Sequence, residues 1–219
     1  MVAQSLRVKI CGIISPEQGT AIAALGANSI GFICVQKSPR YVTPEQILRI
    51  ASVLPNDVHR VGVFMNTCVS EIVEIVKRSR LTSVQLHGDE SVEFCRELRS
   101  ALCKQMINFN VELIKAFRIE SAAGLVNTHP YSAVVDWLLL DAYHPTMGGG
   151  TGLTLDWATL GDFKPTVPWL LAGGLNPDNV REALQTINPQ GIDLSSGVER
   201  SPGDKDLGKV ARLFEQLKK

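Results

Sequence analysis

The stretch SIGFICVQKSPRYVTPEQILRIASVLPNDVHRVGVFM, residues 29–65, contains one whole structural repeat, and its reading decides the fold. It opens on SIGFIC (29–34), a short run that is apolar at consecutive positions and so fits a strand covered on its outer face as well as its inner one. Thr43-Pro44-Glu45 then forms a helix start: a hydroxyl residue placed to cap, a proline at the first helical position, and an acid in the first turn. Ile47 and Ile50 follow on one helical face, and HRVGVFM (59–65) begins the next apolar run. The unit reads strand, helix, strand.

Working outward, the same unit recurs along the chain. Further strand-like runs are LRVKIC (6–11), SVQLH (83–87), ELIKAF (112–117), DWLLLD (136–141), PWLLAG (168–173) and GIDLSS (191–196), which makes eight at a spacing of roughly 22 to 32 residues. Ser15-Pro16-Glu17 and Asn176-Pro177-Asp178 mark two more helix starts. Apolar strands alternating with helices imply a parallel sheet, and eight such units in 219 residues suit a closed α/β barrel, a single (β/α)8 TIM barrel occupying residues 1–219 as one domain. The fifth connection, SAAGLVNTHPYSA, carries Gly124 and Pro130, so its helix is expected to be weak or replaced by loop. A doubly wound open sheet is the structural rival, weakened in its dinucleotide-binding form because no GxGxxG follows the first strand.

Composition narrows the range of partners. Hydrophobic residues make up 45% of the chain and charged residues 20%, as in an ordinary globular protein. Lys plus Arg and Asp plus Glu each number 22, so no overall basic field would gather nucleic acid or an anionic membrane, and a small ligand is expected. The N-terminus runs almost directly into a strand, without a signal-like apolar core, which reads as cytoplasmic. The five cysteines, Cys11, Cys34, Cys68, Cys95 and Cys103, include no CxxC pair and read as reduced thiols. The histidines His59, His87, His129 and His144 are scattered, so neither metal nor cofactor is expected.

A barrel of this kind carries its active site at the C-terminal ends of the strands. The polar residues there are Lys9 and Cys11, Ser38 and Arg40, Gln85 and His87, Asp141, Gly173 and Gly174, then Asp193, Ser195 and Ser196. In the same places stand VKICG, GFICVQKSPRYV, VGVF, VQLHGDE, LLLDA followed by GGGTG and DW, LAGGLNPDNV, and IDLSSGVERSPGDKD. Together, and in this order from residue 8 to about residue 206, they resemble the signatures of the phosphoribosylanthranilate isomerases of tryptophan biosynthesis. The sequence departs from that pattern at Ile14-Ser15, where a Thr or Asn is common directly after the Ile of CGI, and at Asn28, where an Asp is usual.

The resemblance implies an Amadori rearrangement of N-(5-phosphoribosyl)anthranilate to 1-(2-carboxyphenylamino)-1-deoxyribulose 5-phosphate, with Cys11 as general base and Asp141 as general acid. It implies that Arg40 holds the anthranilate carboxylate through paired N–H groups. Gly173, Gly174, Ser195, Ser196 and Gly197 would cradle the phosphate, and Gly148 to Gly152 would form a flap over the substrate. Read without the resemblance, Cys11 is a packing residue and Arg40 a solvated loop residue, while Asp141 is as readily a cap or ion-paired carboxylate as a functional acid. Strand period two places Lys9 beside Cys11, where an ammonium favours thiolate. Asp193 either orients a ribose hydroxyl or pairs with Lys9, and Gln85 and His87 share that ambiguity, His87 being left out of the proton transfers. The partner implied is a small phosphosugar, with the chain a monomer or homodimer. Two other functions compete: the histidine-pathway sugar isomerase, which would carry an acid at the position of Cys11, and a non-catalytic phosphosugar-binding barrel, which needs no proton-transfer pair.

Overall fold

The computed structural model describes residues 6–105, 110–142 and 157–218. Eight parallel strands close into a barrel in chain order: β1 (Arg7–Cys11), β2 (Ser29–Ile33), β3 (His59–Phe64), β4 (Ser83–Leu86), β5 (Glu112–Arg118), β6 (Trp137–Asp141), β7 (Trp169–Ala172) and β8 (Gly191–Leu194). Each lies on an apolar run expected to form a strand. Closure is made by β1 pairing with β8, Lys9 standing opposite Asp193 and Ile10 opposite Leu194. This rules out the open-sheet rival.

Six α-helices cover the outside among the described residues: α1 (Pro16–Leu25), α2 (Pro44–Ala51), α3 (Val69–Ser79), α4 (Val92–Gln105), α5 (Val180–Thr186) and α6 (Leu207–Leu217). Their starts follow the sequence signals. Ser15 caps α1 by accepting from the Gln18 N–H, and Thr43 makes a full capping box with Gln46 ahead of Pro44. The fifth connection is a run of 3-10 turns, Ala122–Ala133, with Pro130 inside it, because a proline lacks the N–H that an α-helix would need there. A second short 3-10 turn, Trp157–Leu160, precedes β7, and a small hairpin, β9 (Glu199–Ser201) and β10 (Asp204–Lys205), follows β8. No described helix is long and apolar enough to cross a membrane.

The two faces of the strands bury different things. Val8, Ile10, Ile30 and Phe32 pack outward under the helices in the main core, while Val61, Ile114, Leu139 and Leu170 form a smaller apolar cluster of their own. Arg7, Lys9 and Cys11 alternate with the outward pair on β1. At the N-terminal mouth Arg7 pairs with Glu112 at 3.0 Å and stacks over Trp137. Asn28, where the resemblance leads one to expect Asp, accepts from the Val8 N–H at 2.8 Å and donates from its amide nitrogen to the Leu6 carbonyl at 3.2 Å. A carboxylate could serve only the first of these bonds.

Candidate active site

At the C-terminal mouth of the barrel a cavity of about 390 Å³ is lined by Cys11, Arg40, Asp141 and Asp193, by Gly173 and Gly174 after β7, and by Ser195, Ser196 and Gly197 after β8. All nine residues singled out from the sequence therefore meet in one place. Gln85, His87 and Ser38 join them, whereas the glycines from 148 to 152 lie outside the described residues.

Cys11 ends β1 and is buried, directly opposite Gly31 on β2. A Cβ on Gly31 would lie 2.7 Å from the Cys11 sulfur, so glycine at that position is what leaves space for the thiol. Lys9, also buried, donates to Asp193 Oδ2 at 2.9 Å. That settles one alternative: Asp193 does pair with Lys9. Its other oxygen, Oδ1, is buried with no hydrogen-bond partner among the described residues and belongs to a residue lining the cavity. Lys9 does favour the thiolate, as expected, but burial outweighs it. Burial pushes the Cys11 thiol above its ordinary value; the Lys9 charge pulls it back, but Asp193 works against that pull.

Asp141 ends β6, and His87 Nε2 stands 3.7 Å from its Oδ2. The ring is held from behind, since Gln85 Nε2 lies 2.9 Å from His87 Nδ1. The loop carrying His87 is pinned by a buried pair that the strand-end reading missed. Lys115 donates to Glu90 Oε2 at 3.0 Å and to the Gly88 carbonyl at 2.7 Å, and Glu90 accepts from the Asn66 N–H at 2.8 Å. Glu90 was visible in VQLHGDE, but nothing local tied it to Lys115, 25 residues away.

Gly173 and Gly174 both adopt the left-handed backbone region, φ 94° and 66°, which turns the chain sharply at the end of β7. A Cβ on Gly197 would lie 1.9 Å from the Leu175 carbonyl oxygen, so the two loops touch through a position only glycine can occupy. The result is a tight backbone concavity after β7 and β8, the place where barrels of this type hold phosphate.

Arg40 reaches the cavity from the loop after β2, but two of its donors are already engaged: Nε donates to Glu199 Oε1 at 2.8 Å and Nη2 to Glu199 Oε2 at 2.5 Å. Burial opposes ionisation of Glu199, yet hydrogen bonds from Arg40, Lys205 and the Gly203 N–H hold its carboxyl down at about 2.

This geometry has known counterparts. The family model for N-(5'-phosphoribosyl)anthranilate (PRA) isomerase matches residues 8–216. The chain belongs to the phosphoribosylanthranilate isomerase family. A relative from Gloeothece citriformis is 58% identical over 212 residues, covering 97% of this chain and 94% of the relative. The crystal structure of the isomerase from Thermotoga maritima superposes with a TM-score of 0.85 at 36% identity, covering 97% of this chain and 98% of that one. Another isomerase structure, in complex with reduced 1-(o-carboxyphenylamino)-1-deoxyribulose 5-phosphate, matches with a TM-score of 0.84 at 34% identity, with the same coverage. Membership makes the chain an isomerase and disfavours both competing readings, the histidine-pathway enzyme and the non-catalytic barrel.

Proposed function

We propose that this chain converts N-(5'-phosphoribosyl)anthranilate to the corresponding 1-amino-1-deoxyribulose phosphate, with Asp141 as the acid and Cys11 as the base. The observation that carries the reading is the convergence of a thiol and a carboxyl group on one cavity, with an arginine on one side and a backbone concavity on another. Binding a phosphosugar would need the last two features but not the first.

The chemistry is the one the family resemblance implies, and the placement of the two groups supports it. Asp141 gives its proton to the furanose ring oxygen, the nitrogen lone pair forms C1'=N, and the C1'–O bond breaks. The resulting Schiff base is cationic, which acidifies the C2' hydrogen. Cys11 thiolate takes that proton, and the electron pair moves into C1'–C2' and returns charge to nitrogen. The enol so formed tautomerises to the ketone. Asp193, whose buried Oδ1 has no hydrogen-bond partner among the described residues, lies where it could orient a ribose hydroxyl, and the concavity after β7 and β8 would take the phosphate.

The test is loss of substrate fluorescence with two variants, Cys11→Ala and Asp141→Asn. Each removes one proton transfer and little binding surface, so each lowers turnover by about 100-fold to 10,000-fold or more while phosphate affinity stays near wild type. Turnover within a few fold of wild type in either variant would remove that residue from its role.

A further inference from the structure

The obvious way for Arg40 to hold a carboxylate is through its Nε–Nη2 edge, with two parallel N–H bonds. In this protein that edge is occupied by the chain's own Glu199. Glu199 is not free to leave. Its Oε1 also accepts from Lys205 Nζ at 2.6 Å and from the Gly203 N–H at 3.1 Å, and both Glu199 and Lys205 are buried. Lys205 in turn donates to the Ser195 carbonyl at 3.2 Å and contacts its hydroxyl at 3.3 Å, and the Ser195 hydroxyl donates to the Cys11 carbonyl at 3.1 Å. Arg40 is thus bolted to the loop that also shapes the phosphate side of the cavity.

We propose that Glu199 is a positioning residue for substrate recognition: by fixing the Nε–Nη2 edge of Arg40 it presents the opposite edge, with Nη1, to the aromatic carboxylate. This rests on the reading of Arg40 as the carboxylate anchor. The physical reason is restraint. An unrestrained arginine side chain has several rotatable bonds and would lose their freedom on gripping a ligand, whereas a guanidinium clamped on one edge meets the carboxylate with its other edge preset. Lys205 makes the clamp rigid because a buried ammonium that lost Glu199 would keep only neutral acceptors.

Glu199→Gln isolates the effect. Glutamine has one acceptor oxygen where three charged-group N–H donors now converge, and its NH2 faces a cation, so the Arg40 fork is released while the shape of the site is nearly kept. Two inhibitors report on it: the reduced aminodeoxyribulose phosphate carrying the anthranilate ring, and the same compound made from aniline, which lacks the carboxylate. We expect Glu199→Gln to weaken the carboxylated inhibitor about 10- to 100-fold and the aniline compound less than threefold. With substrate, KM rises more than kcat falls. Arg40→Ala should collapse the same preference, and adding Glu199→Gln to it should change the preference no further. Both inhibitors are read on the same folded sample, so a general loss of structure weakens both. Equal weakening of the two, no weakening of either, or additive effects in the double variant would overturn the proposal. If Arg40→Ala leaves the preference intact, the carboxylate-anchor reading itself fails; if it collapses the preference and Glu199→Gln does not, only the positioning role falls. Should the glutamine variant not fold, Glu199→Asp, which withdraws the carboxylate by one methylene, is read by the same criteria.

Discussion

Replacing Gly31 by alanine adds one methyl group beside the thiol of Cys11, at a position the paired strands determine. The new carbon would lie 2.7 Å from the Cys11 sulfur, 3.0 Å from its Cα and 3.1 Å from its Cβ. Carbon atoms in comfortable contact sit about 3.5 to 4.0 Å apart, so every one of these distances is short by roughly half an ångström to an ångström. The sulfur can rotate away about χ1, but Cα and Cβ cannot, so β1 and β2 must also separate by a few tenths of an ångström. Overpacking of this kind costs about 1 to 3 kcal/mol, and for a chain of this size about 2 to 4 °C of Tm accompanies each kcal/mol, so Tm should fall by roughly 2 to 12 °C. Activity suffers more. A base displaced by about 1 Å loses on the order of 100-fold in rate, and at 25 °C the variant remains folded. Gly124→Ala is the matched control, since its added carbon meets nothing closer than 3.9 Å. The assay pairs turnover with a circular-dichroism melt. A Gly31→Ala enzyme within threefold of wild type and within 1 °C in Tm would show that the thiol does not depend on this space.

Ligand-free enzyme should be alkylated at Cys11, followed by peptide mass spectrometry, with a midpoint above the 9.0 of a simple thiol, because burial outweighs Lys9. Lys9→Met should move that midpoint higher still, leaving the Asp193 carboxylate uncompensated; faster alkylation in Lys9→Met would contradict the electrostatics. A separate expectation concerns acid stability. Burial works against ionisation of Glu112, but His59, Arg7 and Ser83 hold its carboxyl at about 2, against 4.5 when unperturbed. A depressed carboxyl contributes stability that is fully present above about pH 4.5 and lost as pH falls towards 2. After allowance for partial exposure this amounts to roughly 2 to 3 kcal/mol. Glu112→Gln should therefore be less stable than wild type at pH 7 and should flatten the fall between pH 4.5 and 2 in urea titrations; an unchanged acid limb would exclude Glu112 as its source.

Most of the barrel was legible because its signals are local. Apolar runs such as SIGFIC declare buried strands, and Ser15-Pro16 and Thr43-Pro44 declare helix starts, without reference to the rest of the chain. The strand-end rule then gathered the site, since any closed parallel barrel brings Cys11, Asp141 and Ser195 to the same mouth. What stayed hidden are the pairings that set each group's state. Arg40 meets Glu199 across 159 residues of sequence, and Lys115 meets Glu90 across 25, whereas the pairing of Lys9 with Asp193 was one of two readings the strand ends left open. Glu199 and Lys205 stood in plain view within SSGVERSPGDK, but nothing local there shows that folding buries both. Gly31 was equally inconspicuous in GFIC, because a missing side chain has meaning only against the thiol opposite.

The pairing of Lys9 with Asp193 bears on the order of events in the proposed mechanism. Burial outweighs the pull of Lys9, which Asp193 offsets in part, so the thiol of the ligand-free site stands above its ordinary value. Substrate does not lower it on arrival, since its phosphate and carboxylate bring negative charge that raises the thiol further. A further cation is made by the reaction. Once Asp141 has protonated the ring oxygen and the ring has opened, the protonated Schiff base places a positive charge on the C1'=N unit next to C2', the carbon that carries the hydrogen. The thiolate of Cys11, its proton given up to solvent, is best stabilised at that moment, and a thiol held above its usual pKa is, when ionised, the stronger base. Acid before base is therefore the sequence the electrostatics favour, and a deuterium at C2' should slow turnover in wild type yet leave the ring-opening step, seen as Schiff-base absorbance in single turnovers of Cys11→Ala, unaffected.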